Sequence, residues 1–216
     1  MNHDDQLQQS VLAALHWEPG VSAAQIGVTA YAGVITLTGH VESYAEKHVA
    51  ETAVRRVKGV LAVAEEIEVQ LPFERKRGDD QIALAVLDRI AWDASIPANA
   101  ITVTVENGRV TLIGQVNWHY QREAALQYVR QLHGVVGVTN QISIKPGVNT
   151  ASIGNDIGFA LHRVCVPDSD AITVTEKDGK VRLSGNVHSW HARQVAAEIA
   201  WGAPGATEVE NLLVVI

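Results

Sequence analysis

One stretch of sequence occurs three times in this chain in a single register, and nothing else constrains the fold as strongly. Ile35-Thr-Leu-Thr-Gly39-His-Val41 returns as Val110-Thr-Leu-Ile-Gly114-Gln-Val116 and again as Val181-Arg-Leu-Ser-Gly185-Asn-Val187. The match extends outward without gaps. Leu15, Ile90 and Leu161 share a column, as do Ile26, Ile101 and Ile172, then Gly33, Gly108 and Gly179. Downstream, Gly59, Gly134 and Gly205 align, followed by Val63, Val138 and Val209. The glycines of the motif lie 75 and then 71 residues apart. Each copy at such a period is a unit of its own, too long for the common solenoid repeats and right for a very small domain.

Each unit reads as helix, hairpin, helix, strand. In the second copy Asp79-Asp80 precede Ile82, Val86 and Ile90, apolar positions at helical spacing after acids that suit a helix start. Strict alternation then runs from Ile101 to Leu112 around Asn107-Gly108, a strong signal for a tight hairpin with positive φ at both turn residues. Asp178-Gly179 repeats it, and Ala32-Gly33 is a weaker version. A second helix is expected from Ser43, where Ser-x-x-Glu46 forms a capping box, with Val49, Ala53 and Val57 on its buried face. The equivalents are Ala124, Tyr128 and Leu132, then Val195, Ile199 and Ala203. Gly154 and Gly158 weaken the first helix of copy three, and Gly202 with Pro204 should shorten its second.

The expected fold class is therefore α+β: three tandem αββαβ units, each a three-stranded sheet with two helices on one face. The units are placed at 1–72, 79–146 and 147–216, with 73–78 as linker. Alternation leaves Thr102, Thr104, Thr111 and Ile113 on the far side of the second sheet, a face suited to contact between domains or between subunits. Gly39, Gly114 and Gly185 are read as structural turns.

The hairpin and the ending Gly134-Val-Val-Gly-Val-Thr-Asn140-Gln-Ile142-Ser-Ile144 together resemble the BON domain, a family named for bacterial osmotically induced and nodulation proteins. Three copies span nearly all of the chain. The resemblance implies a non-enzymatic protein tied to envelope and osmotic stress, with phospholipid contact, periplasmic chaperoning or potassium sensing among the family's roles. The potassium-sensing branch also carries a LysM domain, which this sequence lacks.

Charge and composition narrow the partners. The net charge is −7, and residues 1–72 alone hold nine acids against four bases. An acidic chain without a basic stripe argues against nucleic acid. Apolar residues reach 47%, enough for cores, but no run approaches the roughly 20 needed to span a membrane. The acidic start, Met-Asn-His-Asp-Asp-Gln, does not read as a secretory signal, so a cytoplasmic location is expected unless a signal has been removed. The lone Cys165 reads as a buried small hydrophobe.

No catalytic residues, metal or cofactor are expected. His188 and His191 stand i, i+3 but have no nearby partner ligand, and they read as surface histidines. The chemically suggestive feature is aromatic. Tyr44, Trp118, His119, Tyr120 and Trp190 gather at the entrance to the second helix, and Trp17 and Trp92 end the first. Trp17 and Trp92 are expected to cap the small cores. Trp118 and Trp190 either staple the helix entrance or stand exposed as anchors for a membrane interface or apolar ligand. The expected protein binds or scaffolds, touching lipid or an apolar small molecule through these rings and self-associating through its open sheets. A holdase-like chaperone and a carrier using a cavity between domains or subunits are the alternatives.

Overall fold

In the computed structural model the residues described are 3–146, 153–163 and 171–216. They form the αββαβ order three times. The first copy holds α1 (His3–Trp17), β1 (Ile26–Tyr31), β2 (Val34–Val41), α2 (Tyr44–Arg55) and β3 (Ala62–Val69). The second holds α3 (Asp79–Ala91), β4 (Ile101–Glu106), β5 (Arg109–Val116), α4 (His119–Arg130) and β6 (Gly137–Ile144). The third holds α5 (Ile153–Arg163), β7 (Ile172–Lys177), β8 (Lys180–Val187), α6 (Trp190–Trp201) and β9 (Glu208–Val215). The hairpin's second strand is central in every sheet. It runs antiparallel to the first strand, and in copies one and three it runs parallel to the last. Cys165 and the first residues of the third copy lie outside the described residues.

Each turn needs a left-handed backbone. Asn107 and Gly108 have φ of 51° and 74°, and Asp178 and Gly179 have 53° and 80°. Ala32 occupies the same place at φ 48°, where its Cβ crowds the following carbonyl. Ala32→Asn should therefore stabilise the first copy by about 0.5–1 kcal/mol, because asparagine accepts this conformation more readily. Urea unfolding would show it as a higher midpoint at unchanged slope; an equal or lower midpoint would contradict it.

In the second copy the helix start and the turn are joined. Asp79 accepts N–H bonds from Asn107 and Gly108, both at 2.8 Å. The acid expected only to favour a helix N-terminus thus also pins the hairpin.

Gly39, Gly114 and Gly185, read as turns, lie inside β2, β5 and β8. Their antiparallel partners are Ile26, Ile101 and Ile172, another aligned column. A Cβ on them would stand 2.1, 2.1 and 1.9 Å from the carbonyl oxygens of Gln25, Ala100 and Ala171. These glycines are required by close backbone approach within the sheet, not by chain reversal.

The core follows the alternation. Leu37, Leu112 and Leu183 are fully buried, while Thr102, Thr104 and Ile113 are exposed and Thr111 is half-buried. The second helices bury Ala53 as expected, but the rest of the buried stripe lies one residue beyond the expected one. Ala50, Ala125 and Ala196 form a single column and are fully buried, whereas Val49, Ala124 and Val195 are half-buried. Alanine at that column lets the helix sit close on the sheet. Gly202 and Pro204 do not shorten α6, which has 12 residues like α2 and α4.

Contacts group the chain into two compact units, residues 1–114 with 124–141, and residues 115–123 with 142–216. The division passes through the second copy, so that the start of α4 groups with the third.

Candidate partner-contact surfaces

The entrances to the second helices share parts of one capping arrangement, with the serine in copies one and three and the reciprocal arm in copies one and two. Ser43 Oγ accepts the N–H of Glu46, and Ser189 Oγ that of Ala192. The reciprocal arm of the capping box reaches further than expected. The buried Glu46 carboxylate accepts N–H groups from Glu42 and from Ser22, holding the loop after α1. Gln121 takes its place in copy two and accepts from Asn117 and Trp118.

One turn into the helix, every copy carries a ring and a base: Tyr44 with Lys47, His119 with Arg122, Trp190 with Arg193. The base ties the helix to the last strand. Lys47 donates to the carbonyl of Ile67 at 2.7 Å and pairs with Glu65, and Arg193 donates to the carbonyls of Leu213 and Asn211.

In the unit containing the start of α4, this pair grips a ring from the following copy. His119 stacks on Trp201 with centroids 4.3 Å apart and planes 9° from parallel. The Arg122 guanidinium lies over the same indole at 4.4 Å and donates to His119 Nδ1 at 2.9 Å. Burial, reinforced by Arg122, lowers the His119 pKa to about 4, so the ring is a neutral acceptor. Trp201, the last residue of α6, is the member that sequence reasoning missed. It is the fifth tryptophan, aligned with Arg55 and Arg130 and not with the other four.

The other unit repeats the theme with different residues. His48, one residue past Lys47, is lowered to about 4 by burial and by the charges of Arg130 and Arg55. Arg130 is the positional equivalent of Trp201. A cleft of about 560 Å³ between the first two copies is lined by Tyr44, Lys47, Glu65 and Glu68 on one side and by Arg109 and Gly137 on the other.

The aromatic residues expected to touch a partner thus divide. Trp118 (44% exposed) and Tyr120 face solvent. Tyr44, His119 and Trp190 are half-buried, and the Trp190 ring lies beneath Arg193 at 4.7 Å. The expectation for Trp17 and Trp92 is reversed. They are 89% and 88% exposed, Trp17 as the last residue of α1 and Trp92 as the residue just after α3, and cap no core. A second apolar feature is a cleft of about 430 Å³ in the third copy, between α5 and the end of α6, lined by Ile157, Phe159, Ala160, Ile199 and Ala203.

His188 and His191 are exposed. Among the described residues no group of three or more His, Cys, Asp or Glu is placed to hold a metal ion, and no helix is long and apolar enough to cross a membrane.

A family model described as the BON domain matches residues 3–70, 78–146 and 149–216. Osmotically-inducible protein Y of Escherichia coli is 27% identical over 146 residues, 66% of this chain and 73% of that protein. Outer membrane lipoprotein DolP of Haemophilus influenzae is 30% identical over 141 residues, 61% of this chain and 71% of that one. The 21 kDa hemolysin of Actinobacillus pleuropneumoniae is 27% identical over 122 residues, 56% of this chain and 62% of that one.

Proposed function

Starting from a chain that belongs to the BON domain family, we propose a non-enzymatic envelope-type binding protein that contacts lipid or another apolar surface through exposed aromatic side chains. The observation that carries the reading is the pair Trp17 and Trp92. Two copies place an almost fully exposed indole at the same position, the end of the first helix. An exposed tryptophan has an apolar body and a polar N–H, the combination favoured at a membrane–water interface. Trp118 and Tyr120 supply further exposed rings.

One relative, named an outer membrane lipoprotein, supports an envelope setting, and another is named for induction by osmotic stress. The cytoplasmic location expected from the acidic N-terminus finds no support in them. The net charge of −7 points to contact through apolar burial, without a preference for anionic headgroups.

Sedimentation with vesicles tests this. The wild type should bind phosphatidylcholine vesicles at least as well as phosphatidylglycerol ones, with a blue shift of tryptophan emission. Trp17→Ser with Trp92→Ser should weaken binding by about tenfold or more, a loss of about 1.4 kcal/mol, with an unchanged melting temperature. Equal binding by the double variant, or no binding by the wild type to either vesicle, would overturn the proposal.

A further inference from the structure

The two internal junctions are built on one plan. In each, the entrance of one second helix lies near the far end of the second helix in the next copy: His48, beside Lys47, near Arg130, and His119 with Arg122 against Trp201. At the first junction the last strand of one copy also faces the starts of the central and last strands of the next, Glu65 and Glu68 across from Arg109 and Gly137. Every copy carries the positions for both sides of such a junction. The first copy therefore has a receiving side that its internal junction does not use, and the third has a presenting side.

Those two sides differ from their internal counterparts in one direction. The positions of Arg109, Val136 and Gly137 are held in the first copy by Val34, Leu61 and Ala62, all exposed, with Leu61 at 49%. The positions of Glu66 and Glu68, or of Gln141 and Ser143, are held in the third copy by Leu212 and Val214, exposed at 48% and 56%. At two of these places the first internal junction carries a charge, Glu68 and Arg109, and the outer surfaces carry an apolar residue instead, Val214 and Val34. The third copy also keeps the gripping pair, Trp190 under Arg193, with the indole Nε1 buried and without a hydrogen-bond partner among the described residues.

We propose that the third copy of one chain docks on the first copy of another by repeating the internal junction, so that the protein self-associates head to tail. The presenting surface is Trp190 with Leu212 and Val214, and the receiving surface is Val34, Leu61 and Ala62 with Arg55 at the end of α2. Arg55 stands in the column of Trp201 and would bring a guanidinium to the exposed part of the half-buried Trp190 ring, as Arg122 does to Trp201. Because the two surfaces are different, the contact is heterologous and does not stop at a symmetric pair. It is independent of the lipid contact through Trp17 and Trp92.

Complementation of two blocked chains tests the proposal. Leu61→Glu blocks the receiving surface and Val214→Glu the presenting one, both at exposed positions that leave the core untouched. In sedimentation velocity the wild type should gain mass as its concentration rises from micromolar to millimolar, while either variant alone should associate at least about tenfold more weakly. An equal mixture of the two variants should recover one productive contact and stop at a 1:1 dimer, as judged by mass, with circular dichroism confirming that each is folded. Arg55→Glu is the second receiving-side variant and should behave as Leu61→Glu does. A monomeric wild type at the highest concentration, variants that associate like the wild type, or blocked chains whose mixture stays monomeric would each overturn it.

Discussion

Gly39→Ala, Gly114→Ala and Gly185→Ala should each unfold or nearly unfold their own copy, the largest single-residue effects expected in this protein. The added Cβ would meet a backbone carbonyl at about 2 Å in all three cases. Nothing flexible stands there to yield, since the atom struck belongs to the chain just before the partner strand. Gly39 and Gly185 carry a further penalty, with φ of 110° and 127°. Strain of this kind costs about 1–3 kcal/mol before the clash is counted. A total of about 4 kcal/mol is the expected loss, in the range reserved for broken core geometry. For a domain of this size that corresponds to a fall of about 15–30 °C in melting temperature. Gly158→Ala is the matched control. It lies inside α5 with nothing within 4 Å of its would-be Cβ, and should be neutral or stabilising by about 0.5–1 kcal/mol. Calorimetry on the four variants checks both directions at once, and a loss below about 5 °C for any of the three strand glycines would refute the argument.

Acid should weaken the protein through His48 and His119 specifically. Both are held neutral in the fold, with pKa values of about 4 against an ordinary 6.5. The unfolded chain binds these protons first, so the stability they confer is complete above about pH 6.5 and drains away as pH falls towards 4. Protonated His119 could no longer accept the Arg122 bond, and its ring would carry a charge beside that guanidinium. His48 would gain a charge near Arg55 and Arg130. Allowing for solvent screening of half-buried rings, each contributes about 1–2 kcal/mol. Carboxylates titrate over the same range, so the informative comparison is between wild type and the His48→Gln, His119→Gln double variant. Between pH 7 and pH 4.5 the wild type should lose about 2–4 kcal/mol more in urea unfolding. Equal losses would show that neither ring matters.

The fold was legible because its signals are local and thrice repeated. Turn dipeptides, period-2 alternation and a period near 70 residues need no knowledge of long-range packing. The surfaces were less legible. Trp17 and Trp92 were expected to cap cores, yet each follows the last inward residue of its helix, Leu15 or Ile90, by two positions. Two residues is a rotation of about 200°, which points the ring away from the sheet. The buried stripe of the second helix was misjudged by one residue because alanines, with Glu46 and Gln121, hold much of it beside Val54 and Val129. Ala50 and the buried Glu46 do not announce a core face. Trp201 went unread because its partners, His119 and Arg122, lie about 80 residues earlier in the chain.

The parallel pairing of the central and last strands bears on how three near-copies avoid exchanging parts. Leu37 in β2 pairs with Glu65, 28 residues on, across a loop containing α2. The equivalent of Glu65 in the second copy is Asn140, 103 residues from Leu37, on a strand of the same length and register class. Loop-closure entropy favours the nearer strand by only about 1 kcal/mol, roughly sevenfold. During synthesis that modest margin is reinforced by order of emergence, because β3 leaves the ribosome well before β6 exists. A full-length chain diluted from denaturant has no such timetable, and strand-swapped, aggregation-prone forms should accumulate there that growing chains never visit.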